Sequence, residues 1–178
     1  ISVFDVYPMS KKYLLSLGVL DNYYSTKTMT DFLNDVLAAV DEVRQQKDYV
    51  IEITLKHKRE LSTPRDDVSY FDFVKKICEN DPRISLARED TNLYKLISVS
   101  DLVIVPPFSS PGYVAKFLDI PSLFYDPTDE IFVSNEIVSP IKFASNRENL
   151  TLEITNILAR KADSVKCRSA LKSKHQHL

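Results

Sequence analysis

Glycine is almost missing: Gly18 and Gly112 are the only two in 178 residues. Two glycines cannot make a GxGxxG dinucleotide fingerprint, and no Gly-Lys-Ser/Thr follows either of them, so a P-loop is excluded as well. Cysteine is scarce too. Cys78 and Cys167 form neither a CxxC pair nor a disulfide framework, which points to a reducing cytoplasm. Charge of one sign is lacking: the formal net charge is -2, which disfavours a broad nucleic-acid-binding surface. No long hydrophobic run exists either. The most apolar stretch, around 102–108, is broken by Pro106 and Pro107 and falls far short of the roughly 20 residues of a membrane span. Of three histidines, His175 and His177 lie in the polar end of the chain, and no DxD-like pair stands near the candidate phosphate site, so no metal is expected.

What is present is alternation. Short apolar runs at 1–6, 49–55, 83–87, 101–105, 122–125 and, more weakly, 141–144 read as strands. Between them lie helical patterns at 30–46, 69–79, 92–99, 111–118 and 147–160. The first sets Phe32, Leu33, Val36, Leu37, Val40 and Val43 on one face. Such a sequence predicts an α/β, Rossmann-like, mainly parallel sheet with helices on both faces, joined by right-handed crossovers. Residues 1–160 form this domain. Residues 161–178 read as a basic, polar tail or a helix crossing to another domain. The chain opens on a strand-like run without an initiator Met or signal peptide, which suggests a piece of a longer protein.

In open sheets of this kind ligands sit beyond the carboxyl ends of the strands. Three such places stand out. After the run ending at Leu55 comes the basic turn Lys56-His57-Lys58-Arg59, where Lys and Arg can bind phosphate and His57 can donate a hydrogen bond or proton. The alternative is a solvated basic turn. After Val105 comes Pro106-Pro107-Phe108-Ser109-Ser110-Pro111-Gly112. Here Ser110 reads as an N-cap, Pro111 as the first helical residue, and Gly112 as room for a ligand to approach the backbone. Free N–H groups, the helix dipole and two hydroxyls make an anion site there, unless Ser110 does no more than cap its helix. The third place is Arg88-Glu89-Asp90-Thr91, where Glu89 can bond ribose hydroxyls and Asp90 reads rather as an acidic helix start. Asp126, in Tyr125-Asp126-Pro127, lies on the same edge and either touches the sugar or makes a turn.

Four segments together carry a family resemblance: Ile1-Ser2-Val3-Phe4-Asp5-Val6-Tyr7-Pro8, Ile53-Thr54-Leu55-Lys56-His57-Lys58-Arg59, Asp101 through Pro111, and Pro121-Ser122-Leu123-Phe124-Tyr125-Asp126-Pro127. The chain resembles the bacterial surface-polysaccharide biosynthesis family named for its Pro-Phe-Thr-Ser motif. That motif reads Pro107-Phe108-Ser109-Ser110 here, with a hydroxyl kept in the third place. More distantly, the His-bearing turn and the Ser-Ser helix start are similar to the nucleotide half of GT-B glycosyltransferases that use CMP-activated sialic acid or Kdo. Those enzymes carry His-Pro where this chain has His57-Lys58.

The resemblance implies one half of a GT-B fold that binds a nucleotide-sugar donor, a CMP-sugar first and a UDP- or GDP-sugar next, with no other cofactor. It implies that Lys56, Lys58 and Arg59 neutralise the phosphate, that Ser109 and Ser110 hold its oxygens, and that His57 is catalytic. Phe108, Gly112, Glu89 and Asp126 complete the donor site. The acceptor, a glycan or lipid-linked sugar, is expected on another domain, without which the chain should bind a donor but transfer nothing. The expected location is cytoplasmic or peripheral to the inner membrane. Two other functions fit the same pattern: a sugar-nucleotide epimerase-like domain and a non-enzymatic α/β interaction module.

Overall fold

A computed structural model describes residues 1–19, 23–57, 67–131 and 141–175, with 163–175 as backbone alone. Six strands, β1 (Ser2–Asp5), β2 (Ile53–His57), β3 (Ile84–Leu86), β4 (Val103–Val105), β5 (Ser122–Tyr125) and β6 (Lys142–Ala144), pair entirely in parallel. Their order is β3-β2-β1-β4-β5-β6. The chain thus builds the sheet outward from β1 in one direction, returns to the middle, and builds outward in the other. This is the doubly wound arrangement that the alternating pattern predicts.

Helices α1 (Lys11–Ser16), α2 (Thr26–Lys47), α3 (Val68–Asn80), α4 (Leu93–Ser98) and α5 (Ser110–Phe117) lie in the connections between strands, and α6 (Arg147–His175) follows the last strand. Alternate strand residues separate two cores. Val3, Ile53, Leu55, Ile104, Leu123 and Tyr125 pack with residues of α2, α3 and α6; Phe4, Val103, Val105 and Phe124 pack with Ile97 of α4 and Ala115 of α5. Because both faces are covered, β1, β4 and β5 are buried at every position, and they read as continuous apolar runs rather than alternating ones.

Several boundaries differ from those the sequence predicts. α2 starts at Thr26, not residue 30, because Ser25 caps it by accepting from Thr28 N–H at 3.1 Å; the polar first turn carries no apolar period. α1 goes unseen because none of its residues is buried, so it has no apolar face to read. β2 lies at Ile53–His57 rather than 49–55, in register Phe4↔Lys56 and Asp5↔His57 with β1. Lys56 and His57 therefore end a strand instead of forming a turn. The helix beginning at Arg147 passes residue 160 and continues to His175, since Ala, Lys, Arg and Ser prolong a helix without supplying an apolar period. Among the described residues, no helix is long and apolar enough to cross a membrane.

Gly112 holds α5 against the sheet. A Cβ there would stand 2.7 Å from Phe124 Cε1 and 3.0 Å from Val105 Cγ2, both on fully buried side chains with nowhere to move. The reading of Gly112 as room for a ligand is thereby corrected, because the space is filled by Phe124 and Val105. Gly112→Ala is expected to destabilise the fold by about 1–3 kcal/mol through overpacking, measured as a lower urea midpoint with an unchanged slope.

Candidate functional site

The strand order reverses between β1 and β4, so their carboxyl ends flank the crevice where ligands of such sheets bind. From β1 the chain leaves through Val6, Tyr7 and Pro8; from β4 it leaves through Pro106-Pro107-Phe108-Ser109. The second exit is a tight turn, closed by Ser109 N–H donating to the Pro106 carbonyl at 3.2 Å. Proline at its second position fixes a negative φ there, and Phe108 at the third has φ 57°, the combination of a type II turn. A bulky residue in the left-handed region is strained, of the order of 1–3 kcal/mol. What Phe108 gains is a ring contact with Phe124 at 5.8 Å between centroids.

The turn delivers the chain into α5 one residue earlier than the sequence predicts. Ser109, not Ser110, is the N-cap, and Pro111 is the second helical residue. Ser109 is buried, yet its hydroxyl makes no capping bond. Pro111 has no N–H, and Gly112 N–H folds back on the Ser109 carbonyl at 3.1 Å. The start of α5 therefore offers the Ser110 N–H and the Ser109 and Ser110 hydroxyls, with the positive end of the helix dipole behind them.

On the other face of the sheet, the end of β2 carries a buried polar cluster. His57 Nδ1 lies 2.7 and 2.8 Å from the two oxygens of Asp5, the last residue of β1. Tyr70 of α3 donates its hydroxyl to the same carboxylate at 2.5 Å. Tyr7 meets both His57 and Tyr70 edge to face, each at 5.5 Å. Asp5 and Tyr70 are almost entirely buried, and burial, then the Asp5 charge and hydrogen bond, holds the Tyr70 hydroxyl well above its ordinary range. His57 Nε2 is buried and has no hydrogen-bond partner among the described residues. A buried polar atom without a partner is rare enough to require an explanation, and a bound ligand atom is one.

Asp67 caps α3 through Ser69 N–H at 2.9 Å and also accepts from Thr26 at the start of α2 at 2.5 Å. Burial pushes this carboxyl up, but the hydrogen bonds from Ser69 and Thr26 outweigh it and hold it below its ordinary value. The two helix starts beside the His57 cluster are thus tied together.

The other residues singled out in the sequence have different surroundings. Lys56 points to the face opposite His57, and its Nζ donates to the carbonyls of Arg88 and Glu89 at 2.8 Å each, so it holds the turn after β3 rather than standing open to a phosphate. Glu89 is exposed in that turn, and Asp90 pairs with Arg88 at 3.0 Å. The cap of α4 is Asn92, accepting from Lys95 N–H, not Asp90 or Thr91. Asp126 is fully buried. One of its oxygens accepts from the Tyr23 hydroxyl and from Thr128 N–H and Oγ1; the other accepts from the N–H groups of Glu130 and Ile131. It organises its own turn, the simpler of the two readings. Lys58 and Arg59 lie outside the described residues.

Asp5 and Tyr70 are the residues that sequence reasoning missed. The signal available was a carboxylate at the end of an apolar strand, which nothing in the strand's own sequence requires. Grooves of about 380 and 740 Å³ lie at the opposite edge of the sheet, beside the starts of β2 and β3 and of β1 and β4 respectively. Neither includes His57 or residues 107–110. Polar groups left open, rather than concavity, therefore locate the candidate site.

No curated protein matches the chain. A family model described as polysaccharide biosynthesis PFTS motif protein matches residues 1–153, which include β1, the buried His57 cluster and the turn into α5. The chain belongs to the polysaccharide biosynthesis PFTS motif family, and its role lies in polysaccharide biosynthesis.

Proposed function

We propose that this chain is the donor-binding domain of a glycosyltransferase, holding the phosphate of a nucleotide sugar at the crevice between β1 and β4. The observation that carries the reading is the helix start at Ser109-Ser110, whose hydroxyls and Ser110 N–H take no partner among the described residues, at the edge where doubly wound sheets bind ligands. Breaking a glycosidic bond to phosphate builds negative charge on the leaving oxygens. Fixed donors aimed at that charge stabilise the transition state more than the ground state. Ser109 and Ser110 supply such donors, and His57 supplies a hydrogen bond or proton to the leaving group.

The donor is a CMP-sugar on the motif's likeness to enzymes that use CMP-activated sialic acid or Kdo, with UDP- and GDP-sugars as the alternatives. Lys58 and Arg59 add positive charge in the same reading. A thermal-shift screen with CMP, UDP, GDP and ADP tests it. A nucleotide at 100 times its dissociation constant is expected to stabilise the chain by about 2.7 kcal/mol. Replacing Ser109 and Ser110 together with Ala is expected to remove most of that shift. A chain that none of the four stabilises, or whose shift survives the double replacement, is not a nucleotide-sugar domain of this kind.

A further inference from the structure

His57 does not stand alone, and its surroundings determine which of its nitrogens is available. An ionised carboxylate only accepts hydrogen bonds. Asp5 accepts one from Tyr70 on Oδ2, and the imidazole nitrogen 2.7 Å from Oδ1 satisfies the carboxylate only by carrying a proton. That fixes the proton on Nδ1 and leaves Nε2, the buried nitrogen without a partner among the described residues, as the ring atom whose hydrogen-bonding capacity is unspent. The ring is held laterally as well, between Tyr7 at 5.5 Å and Tyr70 at 6.2 Å.

We propose that Asp5 and Tyr70 are positioning residues for His57, locking the Nδ1-protonated ring so that Nε2 meets the donor's phosphate. The proposal rests on the donor-site reading above. It adds a chemical consequence. With Nδ1 already protonated, Nε2 can donate to a phosphate only when the ring carries both protons, and the adjacent Asp5 carboxylate offsets that positive charge. In the transfer step the doubly protonated ring gives its Nε2 proton to the departing phosphate oxygen and is left as the neutral, Asp5-bonded ring.

Asp5→Asn inverts this arrangement by a simple count of donors and acceptors. Tyr70 still needs an acceptor and takes the Asn oxygen, so the amide NH2 turns to His57 and Nδ1 must become the acceptor. Nitrogen-15 NMR of the chain is expected to show neutral His57 protonated on Nδ1 in the wild type and on Nε2 in Asp5→Asn. Titration with CMP is expected to move the wild-type Nε2 resonance. Tyr70→Phe keeps the ring packing and removes one bond to Asp5. It is expected to retain the Nδ1–H tautomer while weakening CMP binding about three- to tenfold.

A wild-type ring protonated on Nε2, an unchanged tautomer in a folded Asp5→Asn, or unaltered CMP affinity in Tyr70→Phe overturns the positioning role whatever else binds. If the tautomers are as stated but neither CMP, UDP, GDP nor ADP moves Nε2, the donor-site reading falls, and the role of Nε2 with it. The wild-type measurement stands even if Asp5→Asn fails to fold.

Discussion

Assayed together with the acceptor-bearing domain that the donor-site reading calls for, His57→Gln is expected to lower the turnover of nucleotide sugar in the presence of acceptor by about two to four orders of magnitude, the range of a lost general acid. Glutamine matches the reach of the ring and keeps an N–H to donate, so a phosphate can still be bound. It has no proton to give at neutral pH. The loss should therefore fall on kcat, with the affinity for CMP within about tenfold of the wild type. The fold should survive, because Asp5 retains the Tyr70 hydroxyl. A variant that loses affinity and keeps kcat shows His57 to be a binding group only. One that keeps both removes it from the site.

Much of the architecture is legible in the sequence because the forces that set it are local and periodic. The runs that become β1, β4 and β5 announce a buried parallel sheet by being apolar at nearly consecutive positions. The stripe of Phe32, Leu33, Val36 and Val40 announces the helix that covers it. Errors arise where a polar residue sits inside an element. Lys56 and His57 read as a turn since strands seldom end on two basic residues, yet backbone pairing with Phe4 and Asp5 keeps them in the ladder.

The site divides in the same way. Its helix start is visible from Pro107-Phe108-Ser109-Ser110-Pro111 alone, to within one residue, because caps and prolines act on their own neighbours. The Asp5–His57–Tyr70 cluster joins residues 52 and 65 positions apart, and only the parallel register of β1 on β2 and the docking of α3 bring them together. Lys56 shows the converse. Its charge is plain in the sequence, but strand alternation turns it away from His57 to two carbonyls that no motif announces.

Asp126→Ala should be the most damaging single change to stability, about 3 kcal/mol or more. Five donors converge on this fully buried carboxylate: two hydroxyls, from Tyr23 and Thr128, and three N–H groups, from Thr128, Glu130 and Ile131. Each buried donor left without an acceptor costs about 1–3 kcal/mol. Water reaching the half-buried turn recovers part of the sum. Burial alone pushes the Asp126 carboxyl up, but the hydrogen bonds from Thr128 and Tyr23 and from the backbone outweigh it and hold it below its ordinary 3.8. A depressed folded value means that the native state favours the ionised form. The stability this confers is fully present above the unfolded value, near pH 4, and is lost as pH falls through the folded one. Urea melts from pH 7 down to pH 2 should therefore show the gap between wild type and Asp126→Ala narrowing below about pH 4, since acid withdraws from the wild type what the substitution has already removed. A gap that stays constant through that range would show that the five bonds do not depend on the charge. The turn would then be held by shape, and Asp126 would again be open to the role of sugar ligand.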